Sequence, residues 1–236
     1  MKHRVAKLGA DGEADSLSPT SRTQIGRHPE RGQRDRTALF DVLGTALVCH
    51  LGVSLDDNPL VVPVAFGVDP DGPDPGGTLY LHGSVAAGAL RSAPDRDICV
   101  TVTHVDGLVL ARSAFNHSMN YRSAVVIGRA RLVEDQAEKG HALDLVVDQV
   151  VPGRSATMRP HTRKELAATA VIALPLHEAS VKQRTGPPLD DEADVAADLW
   201  AGVLPLRLAA DDVVPDVEAA GRPVPDDVRR RREHFG

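Results

Sequence analysis

The chain has 236 residues, enough for one domain with a sizeable core, and its apolar residues are chiefly aliphatic, with one Trp, two Tyr and four Phe. Its formal net charge of -6 provides no field that would attract nucleic acid or an anionic membrane. We therefore expect a globular protein without either kind of partner.

Neither export nor a disulfide framework is indicated. The N-terminus MKHRVAKLGADGEAD is basic but has no apolar segment of the signal-peptide type, and no uninterrupted apolar stretch reaches about 18 residues. Cys49 and Cys99 lie inside separate apolar runs, which is typical of buried, reduced thiols. We expect a cytoplasmic protein.

The chain divides into an arm, a main domain and a tail. Residues 1–36 are rich in Gly, Ser, Arg and Asp and lack an apolar period, which predicts an extended N-terminal arm. The main domain, residues 37–208, opens with a short amphipathic helix in DRTALFDVLGTAL, capped by Asp35 or Thr37. The Pro- and Asp-rich residues 209–236 predict a peripheral tail.

Strand-forming runs occupy most of the main domain. VCHLGVSLDD and NPLVVPVAFGVD predict a hairpin that turns at residues 56–59. DICVTVTHVDGLVLARSAF predicts two strands, with a tight turn at the Asp-Gly signal of residues 104–107. Single strands are predicted in GTLYLHGS, YRSAVVIGRARLVED, VIALPLHEASVKQR and LWAGVLPLRLA. The pattern favours a mainly β (α+β) barrel or sandwich of about six to eight antiparallel strands, because the alternating long helices of a doubly wound sheet are missing.

A few helices punctuate the predicted sheet. SVAAGALRSA is one candidate, and QAEKGHALDLVVDQV is a stronger one because its apolar residues fall on one face. TRKELAATA begins with Thr162 and has Glu165 three residues later, which is the capping-box pattern.

No spacing motif settles an enzyme class. The chain lacks G-x-x-x-x-G-K-[ST], G-x-S-x-G, H-E-x-x-H and C-x-x-C. Its ten histidines are scattered without a pair at i and i+4, so a protein-ligated metal site is not indicated.

LHGSVAAGALR suggests a place for an anion. A predicted strand ends at residues 81–84 and a predicted helix begins at once, so backbone N–H groups and the Ser84 hydroxyl would face a phosphate. The alternative is that Ser84 is an N-cap and Gly83 a turn residue.

The stretch FNHSMNYRS places a polar patch at the mouth of a strand. Alternation puts Tyr121 and Ser123 on one face and Arg122 on the other, so one face could line a pocket. The alternative is an ordinary hairpin bend, in which Asn116 and Asn120 satisfy the turn and Arg122 is solvated. RTGPP, from residue 184, and Trp200 are weaker signals of a binding site.

In their order along the chain, CHLGVSLDDNPLVVPVAFG, LYLHGSVAAGALRSA, FNHSMNYRSAVVIGRARLVED, TRKELAATAVIALPLHEASVKQRTGPP and LWAGVLPLRL resemble the pyridoxamine 5'-phosphate oxidase-related, flavin-nucleotide-binding family. The resemblance is to its nitroimidazole-resistance (Nim-like) branch and covers residues 22–208. It implies a split β-barrel that binds FMN and works as a homodimer, with two FMN sites at the subunit interface.

The resemblance also implies which residues contact the cofactor. The flavin ring would lie along one strand, the ribityl and phosphate groups would lie at a second strand end and its helix, and the last loop would close the site from the other subunit. The cofactor-binding residues implied in this way are Val61, Val62, Pro63, Val64, Leu81, His82, Gly83, Ser84, Gly88, Arg91, Tyr121, Arg122, Ser123, Arg184, Thr185 and Trp200.

Two departures from the family pattern shape the functional hypothesis. Ala87-Gly88-Ala89 stands where relatives carry a cation for the FMN phosphate, and no Arg follows Trp200 where the oxidase itself has one for its phosphorylated substrate. The leading hypothesis is an FMN-dependent oxidoreductase, similar to flavin reductases or nitroreductases, that reduces a small organic acceptor without a catalytic side chain. The alternatives are a non-catalytic flavin- or haem-binding protein and a deazaflavin-dependent reductase.

Overall fold

The computed structural model describes residues 17–55 and 57–236. Its described part contains eleven strands and six helices. In chain order they are β1 (Gly32–Gln33), α1 (Arg36–Gly44), β2 (Cys49–Leu55), β3 (Asn58–Val64), β4 (Phe66–Asp69), β5 (Thr78–Ser84), α2 (Gly88–Ser92), β6 (Asp97–Leu110), β7 (Ser118–Arg129), β8 (Arg131–Leu132), α3 (Gln136–Val150), α4 (Arg163–Ala168), β9 (Thr169–Pro175), β10 (Ala179–Arg184), α5 (Glu192–Val195), β11 (Gly202–Pro205) and α6 (Asp226–Phe235).

The strands form two antiparallel sheets. The larger sheet has the order β1-β10-β7-β6-β2-β3, with β11 also paired to β6, and the smaller has the order β4-β5-β9-β8. Every strand pair is antiparallel, and the two sheets do not close into one ring in the described part of the chain. The predicted mainly β, split-barrel class is confirmed. The strand count exceeds six to eight because several strands have only two to four residues.

The long strand β6 corrects the turn predicted at residues 104–107. β6 runs without interruption for 14 residues and pairs with β7 along its length, with a bulge between Val105 and Gly107. Gly107 is needed for packing, because a Cβ there would lie 3.1 Å from the carbonyl O of Leu204 in β11. Asp-Gly therefore marks a bulge under a neighbouring strand.

The predicted single strand in VIALPLHEASVKQR is wrong. β9 belongs to the smaller sheet and β10 to the larger one, so the chain changes sheet between them. The connection is held by Arg36, whose Nη1 donates to the carbonyl O of Leu176 at 3.0 Å and of Gly76 at 3.2 Å.

The structure confirms the other local predictions for this hairpin and these helices. The hairpin of β2 and β3 pairs from Cys49 with Val64 to Leu55 with Asn58. Helix α3 spans the predicted 15 residues, and α4 has the predicted capping box of Thr162 and Glu165. Asp35 is the N-cap of α1 and accepts a hydrogen bond from the backbone N of Thr37.

An aliphatic core lies between the two sheets and α1. Its fully buried members include Leu39, Leu43, Leu51, Val100 and Leu174, and Phe66 is its main aromatic residue. A smaller cluster packs Tyr80 and Val171 against α3. Burial raises the pKa of the Cys49 thiol to about 12, so this cysteine is an inert core residue, whereas Cys99 is only half-buried.

The described part of the arm packs on the larger sheet. Leu17 is buried, and its carbonyl O accepts from the backbone N of Ala179. Arg22 pairs with the carboxylate of Glu178 and, at 2.8 Å, with that of Asp97. A 3-10 turn at Pro29–Arg31 then leads into β1.

The tail ends in α6, which contacts the body of the domain. Asp227 is buried and pairs with Arg154 at 3.4 Å. The guanidinium of Arg231 lies 4.3 Å from the ring centroid of Phe235. None of the helices in the described ranges has the length and apolar character needed to span a membrane.

Candidate functional site

The β3 residues that the family resemblance implies as contacts of the flavin ring lie on two opposite faces of the strand. Val62 and Val64 pack against the core, whereas Val61 and Pro63 face outward from the larger sheet. Val61 is 65% exposed. Only the outward pair is therefore available to a ligand or a second chain.

At the end of β5, His82 has the features of a binding residue. Leu81 is fully buried, and His82 is half-buried next to it. Nδ1 of His82 is buried and has no hydrogen-bond partner among the described residues. Burial lowers the pKa of the ring, although a hydrogen bond to the backbone of Ala65 opposes this shift. His82 thus offers a neutral imidazole with an unsatisfied nitrogen.

The predicted helix after β5 starts later than the sequence suggests. Three residues separate Ser84 from α2, which has only five residues and an N-cap at Ala87 without a side-chain bond. The Ser84 hydroxyl instead accepts from the backbone N of Ala86 at 3.2 Å. A Cβ at Gly83 would lie 2.3 Å from Cδ1 of Leu90, so a larger residue here would have to displace that side chain of α2. The prediction that Ser84 is the N-cap is therefore wrong, whereas a phosphate at this turn stays a prediction.

The start of α2 is open. A Cβ at Gly88 would meet only Cδ2 of Leu55, at 3.8 Å. Arg91 is the basic residue of this helix, and its side chain is exposed. The structure therefore leaves room beside Gly88, with one solvent-facing cation nearby.

Strand β7 separates the three residues of YRS. Tyr121 and Ser123 share one face, as predicted, and Arg122 lies on the other. Arg122 is not simply solvated, because its guanidinium donates to both carboxylate oxygens of Asp106, at 3.0 and 2.9 Å. It is thus held away from the face that carries Tyr121.

A cavity of about 560 Å³, which we call the basic cavity, opens between the N-terminal arm, the start of β7 and the end of β10. It is walled by Phe115, Tyr121 and Leu189, with Asn116 and Ser118 as polar neighbours. Its lining has no acidic residue, and its ionisable members are Arg27, His28, Arg31, His117, Lys182 and Arg184.

Arg184 is the most buried cation of this cavity, at 7% exposure. It donates to Oδ1 of Asn120 at 2.6 Å and to the carbonyl O of Pro187 at 3.0 Å, and it has no carboxylate partner among the described residues. Burial, and then the nearby charge of Arg31, lowers its pKa. A bound anion would relieve this accumulation of positive charge.

The loop after β10 is fixed to the end of β6. Asp190 accepts from the backbone N of Arg112 at 3.0 Å and from its Nη1 at 2.9 Å. Thr185 lies exposed at the start of this loop, where Gly186 has a φ of 113°. The turn therefore needs its glycine.

Trp200 lies on the surface just before β11. It is 73% exposed, and a Cβ at Gly202 would lie 2.9 Å from its ring. This large exposed apolar side chain is free to contact a ligand or a second chain.

The structure thus brings together only part of the implied cofactor set. Tyr121 and Arg184 line the basic cavity, and Ser123 lines a neighbouring depression with Arg27 and Lys182. The arm residues were missed by sequence reasoning because they lie far from the other site residues along the chain, and His117 was noticed only as part of the polar patch, without a cofactor role. The FNHSMNYRS patch was the one local signal of this site.

Comparison with protein families agrees with the sequence motifs. Residues 35–183, more than half of the chain, match the family model described as pyridoxamine 5'-phosphate oxidase. The chain belongs to the pyridoxamine 5'-phosphate oxidase family. The resemblance inferred from the motifs is confirmed, and residues 1–34 of the arm lie outside the matched range. No significant match was found among curated proteins.

Solved structures of similar proteins cover almost the whole chain. The flavocytochrome Anf3 from Azotobacter vinelandii is 38% identical over 90% of this chain and 97% of its own, with a TM-score of 0.82. An FAD and heme binding protein from Mycobacterium smegmatis is 38% identical over 85% of this chain and 97% of its own, with a TM-score of 0.76. A candidate 5-nitroimidazole antibiotic resistance protein from Bacteroides thetaiotaomicron is 26% identical over 64% of this chain and 85% of its own, with a TM-score of 0.51.

Proposed function

We propose that this family member is a redox protein that binds both FAD and haem, as a flavocytochrome does. The observation that carries the proposal is the 38% identity, over 85 to 90% of this chain, to two solved proteins described as a flavocytochrome and as an FAD and heme binding protein. Each of those proteins is matched over 97% of its length, so the likeness extends beyond the common family core.

The residues around β5 fit a flavin. His82 presents a buried nitrogen without a partner, and a buried polar atom of this kind favours a ligand that supplies the missing hydrogen bond. Gly88 leaves open space next to it. In the proposed complex, His82 and the turn at residues 83–87 bind the flavin's phosphate side, and the outward residues Val61 and Pro63 contact its ring.

FAD is favoured over FMN by where the cations lie. FMN has a single terminal phosphate, and the stretch 87–89 that would hold it has no basic side chain. The loss of one charge-assisted hydrogen bond weakens binding by about 1.5 to 3 kcal/mol. FAD has a second phosphate and an adenosine, which extend its contacts beyond this turn. In the proposed FAD complex, Arg91, the basic residue of α2, would bind one of the two phosphates.

The activity that follows is electron transfer. When bound, the flavin would supply two-electron uptake from a donor and one-electron release, which suits a haem acceptor. The protein would orient the two groups and keep water from them. No side chain needs to act as an acid or base, and the reduction of a small organic acceptor remains a second outcome of the same chemistry.

A homodimer would complete the sites. Large apolar side chains are exposed on the outer face of the larger sheet and near β11, and clustering of this kind favours an interface. The main examples are Val61, Val105, Trp200 and Leu204. A second copy would cover them and would bring the loop at Thr185 against the partner's flavin.

The proposal is tested on protein purified from a host with sufficient haem. Absorption spectra should contain a flavin band and a Soret band, and mass spectrometry of the released ligands should identify FAD and haem. His82→Ala should lower the FAD content at least tenfold, whereas His234→Ala, in α6, should not. Release of FMN or a deazaflavin would contradict the FAD assignment, and protein that takes up neither flavin nor haem would overturn the proposal.

A further inference from the structure

The imidazole of His117 is held in one orientation at the wall of the basic cavity. Its Nδ1 lies 2.8 Å from the carbonyl O of Ser113. A carbonyl accepts only, so Nδ1 must carry the proton of the neutral ring, and the lone pair is then on Nε2. Nε2 has no partner among the described residues. Histidine ligands of metals share this arrangement, because a second-shell carbonyl fixes the tautomer and orients the ring.

The charges around His117 suit a ligand with two anionic groups. Arg27, Lys182 and Arg184 have no carboxylate partner in the described part of the chain. Nζ of Lys182 donates only to the carbonyl O of Arg27, at 2.6 Å. Glu30 pairs with His28 at 2.9 Å and lies 3.8 Å from Arg31, so these two residues of the lining have an acidic partner. Several positive charges therefore remain for a ligand.

The walls of the cavity suit a flat apolar ligand. Phe115 is 93% exposed and Leu189 is 71% exposed, although both are large apolar side chains. Tyr121 lines the cavity near them. The volume of about 560 Å³ lies in the range of about 300–1,000 Å³ that is typical of sites for cofactors and small molecules.

Part of the cavity's charge comes from residues outside the range that matches the family model. Arg27, His28 and Arg31 precede the residues that match the family model, and Arg184 follows them. The 3-10 turn at Pro29–Arg31 and the pairing of Gly32 with Lys182 bring these cations beside β10. The arm is clamped there by Arg22 and Glu178.

We propose that the basic cavity is the haem site, in which Nε2 of His117 would bind the iron and Arg27, Arg31, Lys182 and Arg184 would bind the two propionates. The inference rests on the proposed function, because it locates one of the two cofactors named there. Neutral imidazole is a common haem ligand, and guanidinium groups bind carboxylates through two hydrogen bonds. Phe115 and Tyr121 would supply apolar contacts to the bound macrocycle.

The test is a titration of haemin into the purified full chain, followed by the Soret band. His117→Ala should lose the ligand-dependent shift of the band, and added imidazole should restore it. His50→Ala is the matched control, because His50 is exposed on β2 outside the cavity. The double variant Arg27→Ala/Arg31→Ala should bind haemin about tenfold to a hundredfold more weakly. Arg34→Ala, in the same arm but lining a different depression, should bind it as the wild type does.

Each outcome separates this inference from the proposed function. If the wild type binds haem and His117→Ala keeps the same spectrum and affinity, the location is wrong while the haem function stands. A competition with ADP tests the location further. If ADP binds in the basic cavity through Arg27 and Arg31 without displacing haemin, the cavity is a nucleotide site and haem binds elsewhere, so the location is overturned. If the wild type binds FAD but no haem in any form, both this inference and the haem part of the proposed function fail.

Discussion

Arg122 and Asp106 face each other where β6 bulges, and the guanidinium of Arg122 donates to both carboxylate oxygens, at 3.0 and 2.9 Å. The pair lies on the side of β7 opposite Tyr121. The ion pair therefore stabilises the bulge, and it holds the guanidinium of Arg122 on the face of β7 that does not line the basic cavity.

Removal of this pair should affect stability and leave cofactor binding intact. Asp106→Ala removes two charge-assisted hydrogen bonds from a partly exposed site, so we expect a loss of about 1 to 2 kcal/mol in the free energy of unfolding. Urea denaturation measures the loss, with Asp211→Ala in the exposed tail as the control. A loss of bound haem or FAD at unchanged stability would show that Arg122 acts in the site.

A pair of glycine substitutions tests the packing of α3. A Cβ at Gly67 would lie 2.8 Å from the backbone N of Val146, so Gly67→Ala should destabilise the fold by about 1 to 3 kcal/mol. Gly140, inside α3, has no atom within 4 Å of its Cβ position, so Gly140→Ala should stabilise the protein by about 0.5 to 1 kcal/mol. Thermal unfolding compares the two. Equal effects would contradict the packing described here.

The clamp of the arm should depend on pH. Arg22, and then the hydroxyl of Thr20, lowers the pKa of Glu178 in the folded protein, against an unfolded value of about 4.3. The stability from Glu178 is therefore complete above the unfolded pKa and is lost as the pH falls through the lower, folded pKa.

The matching variant is Glu178→Gln. The difference in free energy of unfolding between the wild type and this variant should be largest near neutral pH and should shrink below about pH 4. Denaturation curves over that range measure it, and trypsin cleavage at Arg27 reports release of the arm. A difference that is constant with pH would refute the proposed ion pair.

The loop that carries Leu189 should depend on Asp190. Asp190→Ala leaves the partly buried guanidinium of Arg112 without its carboxylate, which should cost about 2 to 3 kcal/mol of stability. Since this loop also accepts hydrogen bonds from Arg184, haemin should bind more weakly to the variant. Asp191→Ala is the control, because Asp191 makes no side-chain bond at its helix. If Asp190→Ala binds haemin with wild-type affinity, the loop does not contribute to haemin binding in the cavity.

Local signals in the sequence predicted much of the fold. The apolar period predicted α3 to the residue, and the capping box predicted the start of α4, because both depend on neighbours within one helical turn. The Asp-Gly signal at residues 106–107 failed because β11 packs over Gly107, a contact that comes from about 100 residues further along the chain. The change of sheet between β9 and β10 was also missed because it depends on contacts between residues that are distant along the chain.

The basic cavity was beyond sequence reasoning for a related reason. Its cations come from the arm, from the start of β7 and from the end of β10, and only the pairing of β1 with β10 and of β10 with β7 brings them together. Motif matching placed Tyr121 and Arg184 at a cofactor site but gave no sign of Arg27 or Arg31. The tautomer of His117 also became visible only with the carbonyl of Ser113 in place.

Native mass spectrometry of the protein purified under haem-sufficient conditions weighs the assembly together with its bound groups. We expect a mass of two chains that retain FAD and haem, and release of both on denaturation. A mass of the chain alone after incubation with FAD and haemin, or one that fits FMN without haem, would contradict it.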